Sequence, residues 1–247
     1  MKVALFVPCY MDLFFADAAM ATVRLLESLG VDVDFPDNQT CCGQPMANTG
    51  CTKDARPVAE HFVKTFSEYD TIVCPSGSCA SMVRHHYHGI VEDNPASQKV
   101  CQNTWELSEF LLDHLKITQL DVSFPHKVGI HQACHGLREL RLGPCSERRT
   151  QVVSKMRVLL EMVDGLEIVD LDRPDECCGF GGTFSVNEEA VSVSMGRDRI
   201  GQHEAAGADY IVSGDASCLM HMNGLINREK RPIKTLHLAE VLAGGAA

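Results

Sequence analysis

The chain has 247 residues, of which 45% are hydrophobic and 22% are charged, as in globular proteins that bury a core of their own. No apolar run approaches the roughly 20 residues of a membrane span, and the N-terminal segment lacks the basic start and cleavage site of a signal peptide. A formal net charge of -11 disfavours binding to nucleic-acid phosphates. We therefore expect a cytoplasmic protein with no nucleic-acid partner and no transmembrane segment.

Apolar strand patterns alternate with helical patterns along the chain. In the first half, strands are predicted near 2–8, 31–35 and 70–74, with helices near 14–29, 54–68 and 79–88. In the second half, strands are predicted near 127–132, 166–171 and 209–213, with helices near 148–163, 188–205 and 217–228. This alternation is typical of parallel sheets covered by helices, because parallel neighbours need a crossover connection.

Four segments of the first half recur, in the same order, in the second half. KVALFVPC matches KVGIHQAC, the first Cys-Cys-Gly matches the second, DTIVCPSGSC matches DYIVSGDASC, and TWELSEFLL matches TLHLAEVLA. The sequence therefore predicts an α/β fold of two tandem pseudo-symmetric repeats, each a small parallel sheet flanked by helices. We place the first repeat at 1–120 and the second at 121–247.

Twelve cysteines in a chain without an export signal favour metal binding or redox chemistry over structural disulfides. Eight of them occur in matched positions and are the candidate metal ligands: Cys9, Cys41, Cys42, Cys79, Cys134, Cys177, Cys178 and Cys218. Cys9 and Cys134 are predicted to end strands, and Cys79 and Cys218 to open helices. Because ligands collect at the carboxyl ends of strands in open α/β sheets, four thiols from each half are expected to share one crevice.

Adjacent cysteines fit poorly at two corners of one tetrahedral zinc site, whereas consecutive thiolates can bind an iron-sulfur cluster. Glycines would let the backbone approach the cluster and donate N–H groups to its sulfurs; the candidates are Gly43, Gly179, Gly181 and Gly182. One or two 4Fe-4S clusters are therefore the expected cofactors. Zinc and metal-free thiol chemistry are the alternatives. No catalytic residue is assigned, although His131 or His135, which flank Cys134, could donate a proton or be structural.

The Cys-Cys-Gly pattern resembles that of the cysteine-rich CCG-domain family, which includes the cysteine-rich chain of heterodisulfide reductase and the iron-sulfur chain of glycolate oxidase. The motifs CCGQP, PSGSCASMV, CCGFGGTFSV and DASCLMH are most similar to those of the lactate-utilisation proteins in this family, over nearly the whole chain. The resemblance implies an iron-sulfur electron-transfer subunit of an oxidoreductase that converts L-lactate to pyruvate. It implies as partners a ferredoxin-like iron-sulfur protein and a third small subunit.

One position departs from the family pattern. Members with five cysteines per site end in Cys-x-x-Cys, whereas this chain has Met82 and His221 at the last position. An ordinary four-thiolate cluster is therefore expected, with His221 as a candidate further ligand and Met82 as a packing residue. A disulfide reductase of the heterodisulfide type and a zinc-braced assembly module remain alternative functions.

Overall fold

The computed structural model describes residues 1–148 and 152–244 of the chain. Within these residues, every helix is too short or too polar to serve as a membrane span. Each half contains four short strands and several helices.

The elements of the first half begin with the strand that precedes the first cysteine. They are β1 (Lys2–Leu5), α1 (Cys9–Phe14), α2 (Ala16–Ser28), β2 (Asp32–Asp34), α3 (Gln44–Asn48), α4 (Thr52–Phe66), β3 (Ile72–Cys74), α5 (Gly77–Ser81), α6 (Pro95–Asn103), β4 (Thr104–Glu106) and α7 (Leu107–Glu109). Two π-helical turns, Met82–His86 and Phe110–His114, extend α5 and α7, and a 3-10 turn, Tyr87–Gly89, follows the first of them.

The second half repeats the plan. Its elements are β5 (Lys127–Ile130), α8 (Cys134–Arg138), α9 (Lys155–Leu160), β6 (Glu167–Val169), α10 (Phe184–Asn187), α11 (Glu189–Ala205), β7 (Tyr210–Ser213), α12 (Ala216–Glu229), β8 (Lys234–His237) and α13 (Leu238–Leu242).

Each half forms one parallel sheet, with strand orders β2-β1-β3-β4 and β6-β5-β7-β8. The strand order reverses between β1 and β3 and between β5 and β7. Loops that leave the carboxyl ends of two such strands diverge and open a crevice, which is where open parallel sheets bind ligands.

The structure confirms the α/β class and the two pseudo-symmetric repeats, and it adds a fourth strand to each. That strand opens the matched segments TWELSEFLL and TLHLAEVLA. The helix predicted at 148–163 was too long, because the described part of that segment is helical only in α9 and residues 152–154 lead into it without regular structure. Positions 149–151 of that prediction lie outside the described residues.

Alternate side chains of the central strands enter different cores. Val3 and Leu5 of β1 pack into a core that also contains Val128 and Ile130 of β5, so this core lies between the two halves. Ala4 and Phe6 point to the other face of the first sheet, into a core made mostly of that half, to which Leu140 and Leu142 of the second half also contribute. A third core covers the outer face of the second sheet. Both sheets are therefore buried on two faces, as parallel sheets generally are.

Candidate metal centre

A cleft of about 810 Å³, open solvent included, lies at the carboxyl ends of the strands and is lined by both halves. All eight matched cysteines line it: Cys9, Cys41, Cys42, Cys79, Cys134, Cys177, Cys178 and Cys218. The structure therefore brings both predicted quartets to one place. All twelve thiols of the chain are free, and the other four, Cys51, Cys74, Cys101 and Cys145, lie outside the cleft lining.

Cys9 and Cys134 are the first residues of the short helices α1 and α8. The prediction that they end strands was wrong, because β1 stops at Leu5 and β5 at Ile130, and an extended segment separates each strand from its cysteine. This spacing carries the thiols beyond the sheet edge and into the cleft.

Cys79 and Cys218 lie in the first turns of α5 and α12, as predicted. The N-cap residues are Ser76, which accepts a hydrogen bond from the backbone N–H of Cys79, and Asp215, which accepts one from that of Ser217. Both cysteines therefore lie at helix N-termini, which favour negative charge.

The two Cys-Cys-Gly turns have the same geometry. Gly43 and Gly179 have φ values of +85° and +88°, which favour glycine over every other residue. Their N–H groups donate to Sγ of Cys41 and Cys177 over 3.4 and 3.3 Å. Gly181 and Gly182, also at positive φ, line the cleft instead of bonding to a thiol.

The thiols of each quartet contact one another. Sγ of Cys9 lies 3.6 Å from Sγ of Cys41, and Sγ of Cys42 lies 3.5 Å from Sγ of Cys79. In the second half, Cys177 interacts with Cys134 and Cys178, and Cys178 with Cys218.

Hydrogen bonding among the thiols separates their pKa values. The thiols of Cys42 and Cys9 lower the pKa of Cys41 to about 3, and those of Cys134 and Cys178 lower that of Cys177 to about 2. The same bonds, together with burial, raise the pKa values of the donor thiols. One thiolate in each quartet is therefore available at neutral pH, and thiolate is the form that binds metal.

The remaining sequence candidates occupy different places. His221 Nε2 is 3.3 Å from the carbonyl oxygen of Ser192, and this side chain is not among those lining the cleft. Met82 is buried in the outer core of the first half. His135 Nδ1 lies 3.6 Å from Sγ of Cys134, and both residues line the cleft. His221 therefore stays a candidate ligand only, outside the two quartets of thiols.

Asp215, which the sequence analysis did not single out, joins the two cysteine-bearing loops. Its buried carboxylate accepts hydrogen bonds from the backbone N–H and hydroxyl of Ser217 and, across the halves, from the N–H of Ser78 and the hydroxyl of Ser76. The N–H of Gly77 also donates to the Gly214 carbonyl. The only hint in the sequence was Asp215 itself, a capping residue three positions before a cysteine.

His131 lines the cleft and is almost completely buried. One of its ring nitrogens is within 4.8 Å of the thiols of Cys178 and Cys218. Nδ1 accepts a hydrogen bond from Nε of Arg199, itself fully buried, over 3.1 Å. Burial and the Arg199 charge lower the pKa of His131 to about 3.

The family model described as "Cysteine-rich domain" (CCG) matches residues 3–84 and 128–223, which contain all eight cleft cysteines. The chain belongs to the cysteine-rich CCG-domain family. The two matches correspond to the two halves, so one CCG domain contains each quartet, whereas β4 and β8 lie outside the matched residues.

Curated relatives cover almost the whole chain. Proteins named "Lactate utilization protein A" from Geobacillus kaustophilus and Geobacillus thermodenitrificans are 42% and 41% identical to it over 98% of both chains. One from Halalkalibacterium halodurans is 42% identical over 98% of this chain and 96% of its own. A solved glutamate racemase from Bacillus anthracis aligns with 98% of this chain and 78% of its own at 9% identity and a TM-score of 0.36, too weak a likeness to support any inference.

Proposed function

We propose that each half of the chain binds an iron-sulfur cluster of the 4Fe-4S type, and that the two clusters carry electrons in the oxidation of L-lactate to pyruvate. The first cluster would be held by Cys9, Cys41, Cys42 and Cys79, and the second by Cys134, Cys177, Cys178 and Cys218. The convergence of these eight thiols in one cleft is the observation that supports the proposal most strongly.

The residues around the cysteines suit an anionic cluster. Glycine N–H groups donate to Sγ of Cys41 and Cys177, and the first turns of two helices carry Cys79 and Cys218. Backbone donors and helix N-termini stabilise thiolates and clusters of net negative charge. A 4Fe-4S cluster supplies reversible one-electron transfer when it is bound.

Lactate enters the proposal through the names of the relatives. Those proteins are similar to this chain over 98% of its length. Oxidation of one lactate to pyruvate releases two electrons and two protons, and two one-electron centres in one chain suit that stoichiometry. We place the lactate-binding site elsewhere in a multi-protein system, with a ferredoxin-like iron-sulfur protein and a third small subunit as partners.

Zinc is the second candidate, and two sulfur–sulfur distances in the first half are compatible with it. Four thiolates at about 2.3 Å from one zinc ion lie about 3.8 Å apart, close to the 3.5 and 3.6 Å separations in the first half. Zinc would make the chain an assembly module without electron transfer.

Metal analysis of anaerobically purified protein tests the proposal. We expect about eight iron and eight sulfide per chain, with little zinc. Less than about one iron per chain, or zinc in its place, would contradict it. Disulfide-reductase activity that survives complete removal of iron would instead favour thiol chemistry at Cys177 and Cys178.

Matched cysteine variants test the ligand assignment. Cys42→Ala and Cys177→Ala should each lose roughly half of the iron, because each removes one ligand of one cluster. Cys74→Ala and Cys145→Ala should retain the full iron content, although these thiols are also buried. Equal losses from all four variants would rule out the assignment.

A further inference from the structure

The two metal sites have different surroundings at one matched position. Alignment of KVALFVPC with KVGIHQAC places Phe6 of the first half opposite His131 of the second. Phe6 packs edge-on against Phe62 and Phe66 of α4, with ring centroids 4.7 and 5.8 Å away. The wall behind the first site is therefore aromatic and apolar there.

The second half replaces this aromatic cluster with buried polar groups. Helix α11 carries Arg199 and His203 four residues apart, as α4 carries Phe62 and Phe66, and both polar side chains are fully buried. Gly129 of β5 makes room for His203, because a Cβ at this position would collide with His203 Nδ1. Buried polar and charged groups are costly, so their presence here calls for a function.

The contact with Arg199 fixes which ring nitrogen of His131 carries the proton. A guanidinium can only donate hydrogen bonds, so Nδ1, which receives the bond from Arg199 Nε, must be the unprotonated acceptor. The proton therefore resides on Nε2. This N–H is buried and has no hydrogen-bond partner among the residues that the structure describes.

An unpartnered N–H in a buried position is unfavourable unless an acceptor reaches it. His131 lines the cleft beside the thiols of Cys178 and Cys218, so the acceptor available there is sulfur of the second-half metal centre. A nitrogen that carries its proton cannot coordinate a metal through the same lone pair. This tautomer makes His131 a hydrogen-bond donor to the centre instead of a ligand.

We propose that His131, held by Arg199, donates a hydrogen bond from Nε2 to the second-half iron-sulfur centre and thereby gives it a higher reduction potential than the first-half centre. The proposal rests on the function proposed above. Adding an electron makes a cluster more negative, so a nearby donor and a buried guanidinium stabilise the reduced form more than the oxidised form. Phe6, at the matched position, can offer no such bond.

The test compares His131→Phe, which reproduces the first-half residue, with His131→Gln, which retains an N–H donor. The exposed His85→Phe is the control. Anaerobically purified whole chain is titrated with reductant while its electron paramagnetic resonance is recorded, and iron and sulfide are measured in every variant.

We expect two one-electron steps in the wild-type protein. His131→Phe should lower the equilibrium constant of the more positive reduction step roughly tenfold, which corresponds to a decrease of about 59 mV in its potential. The other step should stay unchanged. His131→Gln should retain most of the potential, and His85→Phe should change neither step. In the wild-type protein, ¹⁵N-labelled histidine should show the weak nitrogen coupling of a hydrogen-bonded ring.

Each alternative result is distinct. Full iron content with both steps unchanged in His131→Phe, or a shift of both steps, overturns this proposal alone. Loss of half the iron, or the strong nitrogen coupling of a bound imidazole, would make His131 a ligand and also overturns it. Wild-type protein without iron overturns the proposed function and this proposal with it.

Discussion

Gly43 and Gly179 hold equivalent positions in the two Cys-Cys-Gly turns, yet they have different neighbours. A Cβ at Gly43 would lie 3.4 Å from the Ala55 carbonyl oxygen, an ordinary contact. A Cβ at Gly179 would lie 2.7 Å from the Ser192 carbonyl oxygen and 2.7 Å from Met195 Cβ. Tolerance to substitution should therefore differ between these two matched residues.

We predict that Gly43→Ala lowers the free energy of unfolding by about 1–2 kcal/mol, the cost of the left-handed backbone conformation for a residue with a Cβ. Gly179→Ala should lower it by about 3 kcal/mol or more, because overpacking against backbone adds to that cost. Urea denaturation of the two variants measures both values. Equal destabilisation would show that the contacts at Gly179 relax easily.

The thiols of Cys41 and Cys177 should differ from ordinary cysteines in metal-free protein. Because hydrogen bonds from neighbouring thiols lower their pKa values to about 3 and 2, both remain thiolate from pH 5 to pH 8. Their alkylation rates should therefore be nearly constant over this range. A peptide with one free cysteine of pKa about 8.5 should react about tenfold faster for each unit by which the pH is raised. Peptide mass spectrometry follows each site, and a tenfold rise per unit at Cys41 or Cys177 would contradict the lowered pKa values.

Among single residues, the sequence predicted those that recur in both halves, and it missed those whose role depends on packing. The eight cysteines and the two Cys-Cys-Gly glycines recur in order, so comparison of the halves found them. Arg199 meets His131 only because α11 packs against β5, and the two residues lie 68 positions apart. Nothing local in the sequence distinguishes that arginine from an exposed one.

Helices α5 and α12 are the elements that place a cysteine from each half beside the other half. Asp215 links their N-termini, because its carboxylate accepts from Ser217 in its own helix and from Ser76 and Ser78 in the other. This carboxylate is buried, so its four hydrogen bonds have no replacement from solvent.

We predict that Asp215→Ala lowers the free energy of unfolding by about 2–4 kcal/mol, since it leaves several buried donors without an acceptor. Ser76→Ala, the matched N-cap of α5, should cost about 1 kcal/mol, as caps usually do. Chemical denaturation measures the destabilisation caused by each variant. Asp215→Asn should have an intermediate effect, because it keeps one acceptor oxygen. A cost for Asp215→Ala no greater than that for Ser76→Ala would contradict the bridging role.

Element prediction found the long helices and the first three strands of each half, and it missed several short elements. Helices α2, α4, α11 and α12 lie within a few residues of their predicted positions. Strands β4 and β8 were not predicted, although their segments had already been matched between the halves. Each runs directly into a helix, α7 or α13, so strand and helix share one short apolar segment. Helices α1 and α8 are also too short for a 3.6-residue period to show.

The whole molecule is organised around the core between the halves. Helix α2 of the first half packs against α13 of the second, and β1 and β5 contribute alternate side chains to the same layer. Two of the cysteine-bearing loops also bond to each other, through Gly77 and Gly214 and through Ser78 and Asp215. The two repeats therefore share the interior that stabilises each of them.

This shared core predicts that the repeats cannot fold separately. A fragment of residues 1–120 would expose Val3, Leu5 and Leu25, which the second half covers in the whole chain, and burial of apolar surface is the main favourable contribution to folding. We expect fragments 1–120 and 121–247 each to lack a cooperative thermal transition by circular dichroism and to bind a hydrophobic dye. The whole chain should unfold in one transition, and an equimolar mixture of the fragments should recover part of its helical signal. A fragment that unfolds cooperatively by itself would show that each repeat is an independent domain, joined to the other only at the cleft.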